Sequence, residues 1–187
     1  MTTVVGIDPS LTAAGVSTIK HPRIAGNPNK PICATMGRQG SNADTITQTA
    51  IRIGDQTRRI WGSLPSSVQL VVIESPGRPN PNAPGRFAER ATVYYRIVEQ
   101  LALRRIPVVT VASKTVKKWA TGSGDASKAE MVAAMRELWP AALIRNDNEA
   151  DALALATMGA MQLGWLEPEL PCHISPNVSW PKGVVRV

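Results

Sequence analysis

The chain has 187 residues, 43% of them hydrophobic and 19% charged, the balance of one soluble globular domain with a sizeable core. Its 21 Lys and Arg against 14 Asp and Glu give a formal charge of +7 and a pI near 9.9, which draws it toward polyanions, nucleic acid first among them. Cys33 and Cys172, with His21 and His173, show no metal-ligand spacing and argue against a zinc site. No secretory pattern opens the chain, and no stretch approaches the roughly 18 to 20 apolar residues that span a bilayer, so the expectation is a cytoplasmic protein with no membrane partner.

In chain order, "TVVGID" at 3–8 reads as a β-branched strand halted by Pro9, and "GVSTI" from Gly15 as its hairpin partner. "KPICATMGR" is a third strand, and Asn42 to Trp61 carries Ile46, Ala50, Ile53 and Ile60 at near-helical spacing. "LVVIE" at 70–74 is apolar up to its last residue, as in a strand covered on both faces. A loop rich in Pro, Gly and Asn runs from Ser75 to Arg86, long enough to be functional or mobile. A long helix begins at Phe87, "IPVVTV" is a buried strand, and "KTVKKWA" and "KAEMVAAMREL" are short helices, with Ser127 and Glu130 at capping-box spacing. The last helix opens in "NDNEADALALA" and runs to about Gly164. Residues 165–187 carry four prolines and read as an extended or disordered tail after a domain of residues 1–164. A meander followed by alternating helices and strands means an α/β fold, a mixed sheet of about five strands with helices on both faces.

Two of these strands end in an acid, Asp8 and Glu74. If the strands are neighbours, the carboxylates meet at one end of the sheet, where their repulsion is costly unless a cation neutralises it. Mg²⁺ suits such a site because it takes oxygen ligands and keeps several waters. Two ions about 4 Å apart activate a water and stabilise the leaving oxygen in phosphodiester hydrolysis, with Mn²⁺ as a substitute. More carboxylates are then needed. At about 100° per residue, Asp147 and Asn148 share the helix face of Asp151, whereas Glu149 points almost the opposite way, toward solvent as an N3 cap. Singly, each acid has a plainer reading: Asp8 as a turn residue, Glu74 as a strand end, Asp147 as a first-turn partner of the helix dipole with Asn146 as N-cap. Asp151 has none, because it lies beyond the first turn in an Ala-rich contact face.

The segments "GIDPSLTAAG" at 6–15, "VVIES" at 71–75, "VKKWATGSGDASK" at 116–128 and "NEADALALA" at 148–156 resemble, in order and spacing, the motifs of RuvC-type Holliday junction resolvases. The first looks most similar to bacteriophage-type members, and the likeness covers roughly residues 3–164. The resemblance implies an RNase H-like fold, a homodimer, and magnesium-dependent incision of paired strands at four-way DNA junctions. It maps the family's first-strand Asp on Asp8, its central Glu on Glu74 and its final Asp on Asp151. Three residues before that final Asp the family usually has Asp or His. Asn148 stands there, so the fourth ligand is either Asp147, one position earlier, or Asn148 itself.

Lys117 or Lys118, and Lys128, match basic positions that meet phosphates in the family; their plainer reading is solvated helix faces. Arg78, Arg86 and Arg90 lie on or beside the long loop, suited to tracking phosphates. Phe87 either wedges between bases at a branch point or is a core aromatic at a helix start. Three other readings compete: a nuclease of broader branched-DNA range, taking flaps and forks, a catalytically silent junction binder, and an actin-like or sugar-kinase ATPase. The last calls for a duplicated domain that the sequence lacks.

Overall fold

A computed structural model of the chain describes residues 2–22, 30–41, 43–79, 87–173, 177–182 and 184. Strands β1 (Thr3–Asp8), β2 (Ala14–Lys20), β3 (Ile32–Met36), β4 (Val68–Glu74) and β5 (Val108–Val111) form one sheet in the order β3-β2-β1-β4-β5. The meander is antiparallel throughout, whereas β4 joins β1, and β5 joins β4, in parallel. Parallel neighbours need a crossover. Helix α1 (Ile46–Ser63) leads into β4 and helix α2 (Phe87–Leu103) into β5. Helices α3 (Ser113–Thr121), α4 (Lys128–Leu138) and α5 (Asp147–Gln162) follow. The α/β class and the mixed five-strand sheet are those read from the sequence.

The strand pleat sorts side chains into two cores. Val5, Ile7, Val71 and Ile73 pack with Ile53, Ile60, Val93 and Ile97 of α1 and α2. Val4, Leu70, Val72 and Val109 point the other way, into a core shared with Trp119, Met131 and Leu153 of α3, α4 and α5. This double covering is why the "LVVI" run has no polar alternation.

Helix α1 starts at Ile46, four residues later than its apolar spacing suggests, because Thr45 and Gln48 close a capping box. Thr45 Oγ1 accepts from Gln48 N at 3.2 Å, and Gln48 Oε1 accepts from Thr45 N at 2.8 Å. The Ser127–Glu130 box forms as its spacing implied.

Helix α5 is the central helix. From Glu149 to Met161 every residue except Asp151 is buried. It lies almost on the backbone of β1 and β2: a Cβ on Gly6 would stand 1.9 Å from the Ala152 carbonyl oxygen, and one on Gly15 1.9 Å from that of Asn148. Glycine on the strands and alanine on the helix therefore set the distance between them.

After α5 the chain returns over the α3–α5 core rather than leaving it. Trp165, Leu166, Val178 and Trp180 pack there, and Gln162 Nε2 donates to the Val184 carbonyl at 3.2 Å. His173, in a short 3-10 turn (Pro171–His173), stacks on Trp119 with ring centroids 4.4 Å apart. The prolines deny this segment regular structure without denying it burial. No described helix is long and apolar enough to cross a membrane.

Candidate active site

Strands β1 and β4 run parallel with Ile7 opposite Ile73, so Asp8 and Glu74 emerge side by side at the carboxyl-terminal end of the sheet. Ligand crevices of open α/β sheets lie at that end. Here Asp8, Glu74, Arg78, Arg90 and Ser113 line a cavity of about 740 Å³. Asp151 and Asp147, one turn apart on α5, face the same place, because both act electrostatically on Asp8.

Burial and the neighbouring acids raise the pKa of Asp8, Glu74 and Asp151. Burial, then the charges of Asp151 and Asp147, raise the Asp8 pKa from 3.8 to about 7, against opposing pulls from Arg90 and Lys128. Burial, then Asp8 and Asp151, raise Glu74 from 4.5 to about 8, although a hydrogen bond from Ser113 and the charge of Arg90 oppose the shift. Burial and then Asp147 raise Asp151 to about 6, opposed by Lys117 and Lys128. Asp147 itself is paired with Lys128, Nζ to Oδ2 at 2.5 Å.

An acid whose folded pKa exceeds its unfolded value binds more protons in the folded state, so folding stability falls as pH rises from about 4 toward the folded pKa. In EDTA the thermal midpoint should therefore drop between pH 5 and pH 8.5, the span bounded by the Glu74 value of about 8. Glu74→Gln should flatten that drop. A scanning-fluorimetry pH series checks both, and an equal slope in the variant would contradict the assigned repulsion.

The basic residues divide. Lys128 pairs with Asp147, and Lys117 acts on Asp151, whereas Lys118 is exposed and is not drawn into the cluster. Arg90 Nη2 donates to the Pro76 carbonyl at 2.8 Å, which ties the loop after β4 to α2, and Arg78 is exposed on the cavity wall. Arg86 lies outside the described residues. Phe87 is half-buried at the first position of α2. Ser113 escaped sequence reading: its helix begins after Ala112, which offers no side-chain cap and hence no local signal.

Glu149 requires a correction. It points away from Asp151 as its helical angle requires, yet that direction is not solvent, and the side chain is only 1% exposed. Its Oε2 accepts from Arg145 N at 2.8 Å, and its Oε1 from Thr35 Oγ1 at 3.1 Å. Strand β3 covers the helix face that an isolated amphipathic helix would leave wet. Asn146 is the N-cap as expected, accepting from Glu149 N at 3.0 Å.

The donor set is all oxygen, carried on four mutually repelling carboxylates, and this chemistry fits a hard divalent cation. Among the described residues, no three Asp, Glu, His or Cys side chains stand close enough together to hold one ion as they lie.

No family model and no curated protein sequence matches the chain. Its structure is similar to Thermus thermophilus RuvC at 20% sequence identity, with a TM-score of 0.56 over 82% of this chain and 90% of that one. It is similar also to T. thermophilus RuvC in complex with a Holliday junction substrate, at 21% identity and a TM-score of 0.57, with the same coverage. Strand order, helix placement and these two likenesses agree: the chain has the RuvC fold.

Proposed function

We propose that the protein is a RuvC-type, magnesium-dependent endonuclease that resolves four-way DNA junctions by hydrolysing phosphodiester bonds. The observation that carries this reading is that Asp8, Glu74, Asp151 and Asp147 lie within electrostatic reach at the carboxyl end of β1 and β4, the first two raised in pKa by burial and then by their acidic neighbours. Asp8, Glu74, Asp151 and Asp147 would hold two divalent ions, Mg²⁺ with Mn²⁺ as substitute. When bound, these supply Lewis-acid stabilisation of the phosphate charge and a lowered pKa for the attacking water.

The chain's own residues do the rest. The Ser113 side chain orients the Glu74 carboxylate by a hydrogen bond, and Arg90, fixed by the Pro76 carbonyl, offers its charge at the cavity wall. Lys128, exposed and set against Asp147, is placed to exchange that partner for a DNA phosphate, with Lys117 beside it. Arg78 extends the basic lining along the loop. Lys118, exposed on α3 with Lys117, serves outer phosphates, and Phe87, at the start of α2, would meet unstacked bases. Paired incision needs two active sites, so the reading includes a homodimer, which sedimentation of the free protein checks.

Incision of a synthetic four-way junction in Mg²⁺, beside a flap, a fork and linear duplex, tests the proposal. Preferred symmetric cutting of the junction is expected. Equal cutting of flap and fork would make it a general branched-DNA nuclease, and tight binding without cutting in Mg²⁺ or Mn²⁺ would make it a silent junction binder.

Asp147 is favoured over Asn148 as the fourth ligand because it carries a charge, and that charge reaches both Asp8 and Asp151. Single-turnover incision should fall by about tenfold or more in Asp147→Asn and stay within about threefold in Asn148→Ala. The reverse order would hand the position to Asn148.

A further inference from the structure

Beyond the carboxylate site, α1 and the segment after β3 enclose a second cleft, of about 520 Å³, lined by Arg38, Arg52 and Arg59 together with Asp44 and Asp55. Its acids are already engaged: Asp55 pairs with Arg58 at 2.5 Å, and Asp44 Oδ2 accepts from Ser41 N at 3.2 Å while standing 3.6 Å from Arg52 Nη2. Arg52 is the unusual member. Its Nε and Nη1 are buried without an acceptor, beneath the Gly40 backbone, where a Cβ would fall 1.2 Å from Nη1. A guanidinium enclosed with one long ion pair keeps most of its positive field, and unpaired donors of this kind are costly unless an anion sits nearby. Arg38 and Arg59 are exposed and have no ion-pair partner among the described residues.

The cleft is not remote from the carboxylates. Leu11, in the turn that follows Asp8, forms part of its wall, and Gln56 Nε2 ties α1 to that turn by donating to the carbonyls of Ser10 at 2.8 Å and Met36 at 2.9 Å. We infer that this arginine cleft is a second phosphodiester-binding site, which holds the backbone of a DNA arm leading away from the cleaved strand. Its chemistry is that of a planar donor fork matched to phosphate oxygens. The inference rests on the junction-nuclease reading but concerns a separate surface.

The test is the Arg38→Gln/Arg59→Gln double variant. Both side chains are exposed, so the fold should persist, which a thermal melt checks. Binding is measured by anisotropy in Ca²⁺ over a salt series, with a four-way junction of long arms and one whose arms are cut to about half a helical turn, roughly five base pairs. Loss of two phosphate contacts should weaken long-arm binding about tenfold at moderate salt and lower the salt slope by about 2. Short-arm binding, and the incision rate at saturating DNA, should be unchanged.

Equal affinity of variant and wild type for the long-arm junction would overturn the inference and leave the nuclease reading intact, as would a loss independent of arm length. Wild-type protein that binds neither junction would instead remove the nuclease reading itself, and this inference with it. Unchanged junction binding, combined with stabilisation of wild type but not the variant by inorganic phosphate, would make the cleft a small-anion site and overturn the DNA assignment.

Discussion

Asp8→Asn, Glu74→Gln and Asp151→Asn should each lower junction incision by on the order of a thousandfold or more, while junction affinity in Ca²⁺ stays at or above wild type. The size follows from the several kcal/mol of transition-state stabilisation that divalent ions supply, at about 1.4 kcal/mol per factor of ten. The direction of the binding effect comes from the electrostatics. Burial and mutual repulsion hold Asp8 near pKa 7 and Glu74 near 8, so removing one charge relieves the others and draws the DNA backbone no less strongly. The DNA contacts proposed for Lys117, Lys128 and Arg90 are untouched by these substitutions. Single-turnover incision and gel-shift titration on the same junction separate the two effects. Loss of binding in all three variants would sink the active-site assignment, because it would mean that the carboxylates support the fold or the DNA surface rather than the reaction.

The proposed metal site also predicts a metal dependence of stability. Divalent ions compete with protons for the same carboxylates, so Mn²⁺ should raise the melting temperature more at pH 8 than at pH 5.5. Asp8→Asn should remove most of that difference. An ion effect that does not vary with pH would argue against binding at Asp8 and Glu74.

Gly6→Ala is expected to be strongly destabilising. The new Cβ would stand 1.9 Å from the Ala152 carbonyl oxygen and 2.5 Å from Ala156 N, both backbone atoms of α5 that cannot rotate away. Overpacking of a core ordinarily costs about 1–3 kcal/mol, and a clash with the backbone of a packed helix belongs at or above the top of that range. For a domain of this size that is a fall of about 6–12 °C or more in melting temperature. Gly62→Ala is the control. Gly62 lies in α1 with nothing within 4 Å of the added methyl, and helix propensity predicts a gain of roughly 0.5–1 kcal/mol. Because α5 carries Asp151 and Asp147 toward Asp8, any Gly6→Ala protein that still folds should also incise more slowly. A melting curve indistinguishable from wild type would show that helix and sheet can separate more readily than their packing suggests.

The motif likeness, the order of elements and the two strand-terminal acids were all legible from the chain alone. Asp8 before Pro9 and Glu74 after an unbroken apolar run are local patterns that do not depend on what packs against them. The same is true of the Ser127–Glu130 capping box. Where reading failed, the missing information was non-local. Glu149 looked solvent-facing because helical angle says only that it points away from Asp151. What lies in that direction is Thr35 of β3, 114 residues earlier in the chain. Ser113 carried no signal because its value comes from standing beside Glu74.

Asp147 and Asn148 illustrate the boundary best. Helix geometry puts both on the face of Asp151, and nothing in the local sequence separates them. What the folded chain adds is that the Asp147 charge acts on Asp8 and on Asp151, which supports the proposal of Asp147, and the paired variants make the assignment. The sequence by itself determined periodicity, caps and strand ends, since these arise from neighbours within a few residues. Only the tertiary structure decided which carboxylates converge, how closely helix and sheet approach, and which polar groups are buried. Those depend on contacts between segments that the chain brings together only when the sheet has closed.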